Sequence, residues 1–118
     1  MNARTDVLLQ PGDRPTGEVL GEAVERGLAY LEAGATCVFV PGKVNEDEVE
    51  DLVAGIGEGK VSLIGVPGNP SSTRLEELGV ARISYGPWTQ RVALTAYADL
   101  ARSLYGGGTI PLEARPLN

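Results

Sequence analysis

Four times along this chain a short apolar run is followed by a stretch with helical spacing, and that alternation limits the fold more than any single residue does. The runs lie near residues 3–9, 36–41, 60–65 and 80–84. Ala35-Thr36-Cys37-Val38-Phe39-Val40 is almost wholly apolar and is bounded by Pro41-Gly42, which suits a strand buried on both faces in a parallel sheet. Cys37 inside it reads as a small buried hydrophobe. Between the runs, Glu18 to Ala33 sets Leu20, Val24, Leu28 and Leu31 at helical spacing, with Glu22 and Arg26 paired on the other face and Gly34 as a stop. Asn45 followed by Glu48 is a capping pair ahead of Val49, Leu52, Val53 and Ile56. Its acidic first turn reads as a solvated helix start at the positive end of the dipole, not as a metal site. Ser71 or Ser72 caps a short helix through Leu75 and Leu78 that Gly79 ends. The last helix, Trp88 to Tyr105, places Val92, Tyr97, Leu100, Ala101 and Leu104 along one side. Gly106-Gly107-Gly108 closes it, and residues 109–118 read as a tail.

Strands spaced in this way predict right-handed parallel βα units, within one α/β domain over residues 1–108. Four such units are half of a (β/α)8 barrel, which normally needs ~250 residues. Alone they leave two open sheet edges, so closure by a second copy or by a missing half is expected. The rival is a small doubly wound sheet, but no Gly-rich phosphate turn follows the first strand.

Charge and residue inventory then narrow the function. A net charge of -6 argues against nucleic acid and against an anionic membrane surface as partners. No apolar run is long enough to span a bilayer, and no signal peptide is visible. A single cysteine fits a reducing cytoplasm. The chain has no histidine, which removes Ser-His-Asp and Cys-His chemistry and most zinc sites. Catalysis would rest on carboxylates, arginine, lysine, hydroxyls or a hard cation such as magnesium.

The first run carries Arg4 and Asp6 two positions apart, on one face of a strand. At a strand end, such a pair reads either as a structural ion pair or as an anion site whose arginine is oriented by its own carboxylate.

Asn-Ala-Arg-Thr-Asp at 2–6, Glu-Ala-Gly-Ala at 32–35, Val-Phe-Val-Pro-Gly at 38–42 and Leu-Gly-Val-Ala-Arg-Ile-Ser at 78–84, followed by Gly86, are motifs in a telling order. Together they resemble the isocitrate lyase/phosphoenolpyruvate mutase family, over Asn2 to about Gly108 and over the second half of that family's barrel. The resemblance implies magnesium-dependent lysis or rearrangement of C–C or P–C bonds in small 2-oxo acids or phosphonates, through an enolate. By the same resemblance Arg4 grips the substrate's carboxylate or phosphonate, Asp6 supports it, and Ser62 contacts substrate where relatives commonly carry an asparagine. A serine offers a shorter reach and a single donor.

The departures are as informative. Pro41 stands where many lyases of the family have a glutamate, a feature shared with the phosphonomutase-like branch. The family's acidic magnesium motif and its gating loop belong to the barrel half not seen here. Mg2+ is thus the cofactor expected for the family, with its ligands absent from this chain and no catalytic residue assigned. The expectation is a partial family protein that is inactive as an isolated half-barrel. It would work as a homo-oligomer or with a missing N-terminal half. The alternative is a non-catalytic, self-associating remnant or scaffold module.

Overall fold

A computed structural model describes residues 1–116. Its elements run β1 (Asn2–Arg4), a 3-10 turn (Val7–Leu9), α1 (Thr16–Glu32), β2 (Cys37–Val40), α2 (Glu46–Ile56), β3 (Val61–Ile64), α3 (Ser72–Glu77), β4 (Arg82–Ser84) and α4 (Trp88–Tyr105). The strands form one sheet in the order β1-β2-β3-β4, every pair parallel. Four parallel strands alternating with helices give the α/β arrangement of part of a (β/α)8 barrel. The chain divides into two compact units at Gly86/Pro87.

In the first unit the sheet's outer face holds the core. Val38, Val40, Val61 and Leu63 are fully buried there and cluster with Ala23 of α1, with Val49, Leu52 and Ile56 of α2, and with Leu75 of α3. Caps of the expected kind deliver the helices. Asn45 Oδ1 accepts from the Glu48 amide at 2.9 Å while Glu48 Oε2 accepts from the Asn45 amide at 2.8 Å, a reciprocal box that satisfies two otherwise orphaned donors. Ser71, not Ser72, caps α3. Gly34 follows α1 with φ 95°, a left-handed turn that a side chain would strain.

Two expectations are corrected. The first strand does not run over 3–9: β1 ends at Arg4 and the chain turns into the Val7–Leu9 coil. The Thr5 amide makes a last ladder bond to the Phe39 carbonyl at 3.0 Å. In a parallel ladder the next donor to the Thr5 carbonyl would be the residue 41 amide, and proline has none. Pro41 therefore ends the pairing.

One residue of the expected α1 stripe is also displaced: Leu20 is in the core and Val24 and Leu31 pack against it, but Leu28 does not. Val19, Leu20, Ala23 and Gly27 are buried, whereas Leu28 is 48% exposed. The seam with α2 is made of small residues in close approach. A Cβ on Gly27 would lie 2.9 Å from Ile56 Cδ1, and one on Gly55 would lie 2.7 Å from both methyls of Val24.

In the second unit α4 has the expected bounds and buries none of its side chains. Val92 and Tyr97, expected along an apolar side, are exposed. The expected tail over 109–118 lies outside the described residues at its last two positions.

Candidate functional site

Strand register decides which side chains share the inner face, the one turned away from the helices. Arg4 pairs with Phe39, Phe39 with Ser62, and Ser62 with Arg82. Residues in register point to the same side of a sheet, so these four form one row across all four strands. Asn2 and Cys37 form the adjoining row on one side, and Ile64 and Ser84 on the other.

Arg4 stands at the C-terminal end of β1, where the early end of the ladder frees the chain to turn. Its Nε donates to Asp6 Oδ1 at 2.6 Å, and both side chains are about half exposed, 54% and 46%. The guanidinium carbon also lies 5.6 Å from the centre of the Phe39 ring, within cation–π range. Among the described residues these are its only partners, so the two Nη groups face no protein acceptor. The ion pair of Arg4 and Asp6 exists, and it leaves the bidentate end of the arginine without a protein partner among the described residues.

Ser62 is placed differently. It lies in the same row, one strand beyond Phe39, and is only 1% exposed. Arg4 and Ser62 share a face but are not in contact, and the aromatic ring stands between their strands.

Four further residues, none of them assigned a role from the sequence, shape the region. Arg82 lies on the inner face, as its alternation with Ile83 could have shown. With the Asn2 amide oriented to satisfy both neighbours, Asn2 donates to the Cys37 carbonyl at 3.3 Å and accepts from Arg82 Nη1 at 2.9 Å. Asn69 stitches two loops at the C-terminal ends of β2 and β3. It accepts from the Val44 amide at 3.0 Å and donates to the carbonyls of Ile64 at 2.9 Å and Gly42 at 3.3 Å. Thr5 is 2% exposed, and its hydroxyl has no hydrogen-bond partner among the described residues. No local sequence signal marks it.

Beside this region, Leu8, Pro11, Arg14, Thr16, Val19, Leu20, Lys43 and Glu48 line an open cavity of about 160 Å³. Arg14 works there as a strut. It binds Glu22 through Nη1 and the carbonyls of Pro11 and Gln10. That hydrogen bond holds the Glu22 carboxyl below the usual range, against partial desolvation and with help from Arg26.

The inner face does not fit a magnesium cage. Asp6 is the one acid at the site, and it is occupied by Arg4. Among the described residues no three metal-ligating side chains stand together, and a hard divalent cation takes several oxygen ligands.

A model of the phosphoenolpyruvate phosphomutase family matches residues 1–105. Two uncharacterized proteins of Mycobacterium tuberculosis, from strains CDC 1551 and H37Rv, are each 36% identical over 113 residues, which is 94% of this chain and 41% of theirs. A crystal structure from Burkholderia cenocepacia assigned as a phosphonomutase superposes with a TM-score of 0.73 at 34% identity, over 86% of this chain and 40% of that one. A second from the same organism, assigned as a lyase/mutase, gives 0.72 at 27% identity, over 94% and 41%. The chain thus spans about two fifths of the proteins it matches. With a family model running through nearly its whole length, and a sheet that superposes on part of a phosphonomutase, the chain belongs to the phosphoenolpyruvate phosphomutase family.

Proposed function

We propose that this chain supplies the oxyanion-binding half of an enzyme acting on small 2-oxo acids or phosphonates. The observation that carries the reading is the state of Arg4: tied at Nε by Asp6, backed by Phe39, and open at its two Nη groups. A planar guanidinium held in this way is pre-organised for two parallel hydrogen bonds to a carboxylate or phosphonate. Asp6 and Phe39 hold the plane of the guanidinium, and neither is assigned a proton transfer. Ser62 adds one hydroxyl on the same face. Pro41, in place of an acid at the end of β2, favours phosphonate or short 2-oxo acid substrates over isocitrate. Magnesium, if used, is held by residues outside this chain, in a homo-oligomer or in the rest of a barrel. The setting is cytoplasmic, in keeping with the lone buried Cys37.

Calorimetric titration with oxalate, with and without magnesium, tests this. The chain alone should bind oxalate weakly and without regard to magnesium, and Arg4→Ala should remove the binding while Arg4→Lys keeps part of it. Equal affinity in wild type and Arg4→Ala would falsify the assignment. Binding that requires magnesium would overturn the placing of the metal ligands outside the chain.

A further inference from the structure

Asp6 orients Arg4 through its carboxylate, but Asp6 itself lies beyond β1, at the entry to the Val7–Leu9 turn. An aspartate at such an entry ordinarily caps the turn with its side chain. Here the side chain makes no cap, and its carboxylate goes to Arg4. The tie from Asp6 into the turn is its backbone: the Asp6 carbonyl accepts from the Leu9 amide at 3.0 Å and from the Gln10 amide at 3.2 Å. We infer that Arg14 is a positioning residue for the Arg4 grip, acting from the far end of this turn through Gln10 and the Asp6 carbonyl. The inference deepens the proposed function and rests on its reading of Arg4 as the oxyanion-binding group.

Three observations support it. First, the Arg14 guanidinium uses all three of its nitrogens to join the loop to α1. Nε donates to the Pro11 carbonyl at 2.9 Å, Nη2 to the Gln10 carbonyl at 3.3 Å, and Nη1 to the Glu22 carboxylate. A planar fork can tie several acceptors in fixed directions at once. Gln10 is thereby held at both ends of its peptide units, and the path Arg14–Gln10–Asp6–Arg4 is continuous in hydrogen bonds.

Second, the turn is seated at its start and not at its exit. Val7 is buried, and Leu8 lies so close to Gly42 that a Cβ there would come 2.7 Å from Leu8 Cβ. Leu9 and Gln10 are exposed. Behind them, the cavity of about 160 Å³ separates Leu8 and Pro11 from Val19 and Leu20 of α1, so close packing does not back the loop. Its position depends on polar ties.

Third, the far end of the strut is firmly based. Glu22 is also paired with Arg26, one turn along α1, and Val19, Leu20 and Ala23 root that helix in the core. Arg14 thus refers the loop to the rigid outer layer and not to another loop.

Titration of the full chain with oxalate tests this, each variant being held well below its own unfolding midpoint. Arg14→Ala should weaken binding about fivefold. Arg14→Lys keeps a charge for Glu22 without the fork, and should recover part of the loss. Arg26→Ala removes an ion pair from the same carboxylate without touching the loop. It should lower the melting temperature by a similar amount and bind oxalate like wild type. In Arg14→Ala, hydrogen exchange should quicken at the Leu9 and Gln10 amides and stay unchanged at the Val38 amide of β2. The inference is overturned by wild-type affinity in Arg14→Ala, by an equal loss in Arg26→Ala, or by unchanged exchange at Leu9 and Gln10. Wild-type chain that binds no oxalate would remove the Arg4 reading and this inference together. Binding lost in Arg4→Ala and unchanged in Arg14→Ala would sink the role of Arg14 alone.

Discussion

The two faces of the sheet are built from the same strands by alternation, and they differ in almost every physical respect. On the outer face Val38, Val40, Val61 and Leu63 are wholly buried against α1, α2 and α3, with no polar group among them. On the inner face Asn2, Arg4, Ser62, Arg82 and Ser84 carry hydrogen-bonding groups, and Arg4 and Arg82 are exposed. Burial of apolar area makes the outer face the source of stability. The inner face holds the groups that could bind an anion, and it adds little to the fold. The outer face alone can therefore hold the unit together.

Adjacent residues of β3 offer the sharpest way to break that contrast. Leu63→Ala removes a fully buried outer-face side chain and should cost about 2–5 kcal/mol in a urea unfolding experiment. Ser62→Ala, one residue away on the inner face, should cost less than about 1 kcal/mol. Comparable losses at the two positions would mean that the inner face is also a folding core.

Asn69 probes the rim that joins the faces. Its amide serves the Val44 amide and the carbonyls of Ile64 and Gly42, and Val44 is buried. Asn69→Ala leaves those groups unpartnered and should cost about 1–3 kcal/mol. Hydrogen exchange should show the loss first at the Val44 amide. An unchanged exchange rate there would remove Asn69 as the stitch between the loops.

Much of this architecture was legible because its signals are local. The Asn45–Glu48 box, the left-handed Gly34 and the Trp88–Tyr105 bounds each follow from a few neighbouring residues. The length of β1 was not legible, because Val7-Leu8-Leu9 looks like strand, and the residue that ends the ladder, Pro41, lies on the partner strand. In the α1 stripe Leu20, Val24 and Leu31 were legible, whereas Ala23 and Gly27 are too small to stand out in an apolar pattern and Leu28 faces outward. At the site, the Arg4–Asp6 ion pair was anticipated, although Asp6 lies beyond the end of β1 and not on its face. Phe39 beneath Arg4 and Asn2 beside Arg82 depend on strand register, which no local pattern in this chain specifies.

Thr5 is buried, and its hydroxyl has no partner among the described residues. Thr5→Val keeps the shape and removes the orphaned group, so it should stabilise the protein by about 1 kcal/mol. A loss of similar size would show that the hydroxyl makes a bond that these side-chain positions do not contain.

The smallest effect belongs to the solvent side of α1, where Glu22 lies between Arg14 and Arg26. Arg14 and Arg26 lower the Glu22 pKa in the folded state. A depressed carboxylate stabilises the fold above its unfolded pKa, and that contribution fades as pH falls through the folded value. The pair is solvent-screened, so its effect is small beside that of the outer face. The melting temperature of wild type should exceed that of Glu22→Gln near neutral pH, and the two should converge as pH is taken below the carboxylate range. Added salt should shrink the neutral-pH gap as well. A gap that widened in acid would reverse the sign of the linkage and show that Glu22 is held by burial and not by its arginines.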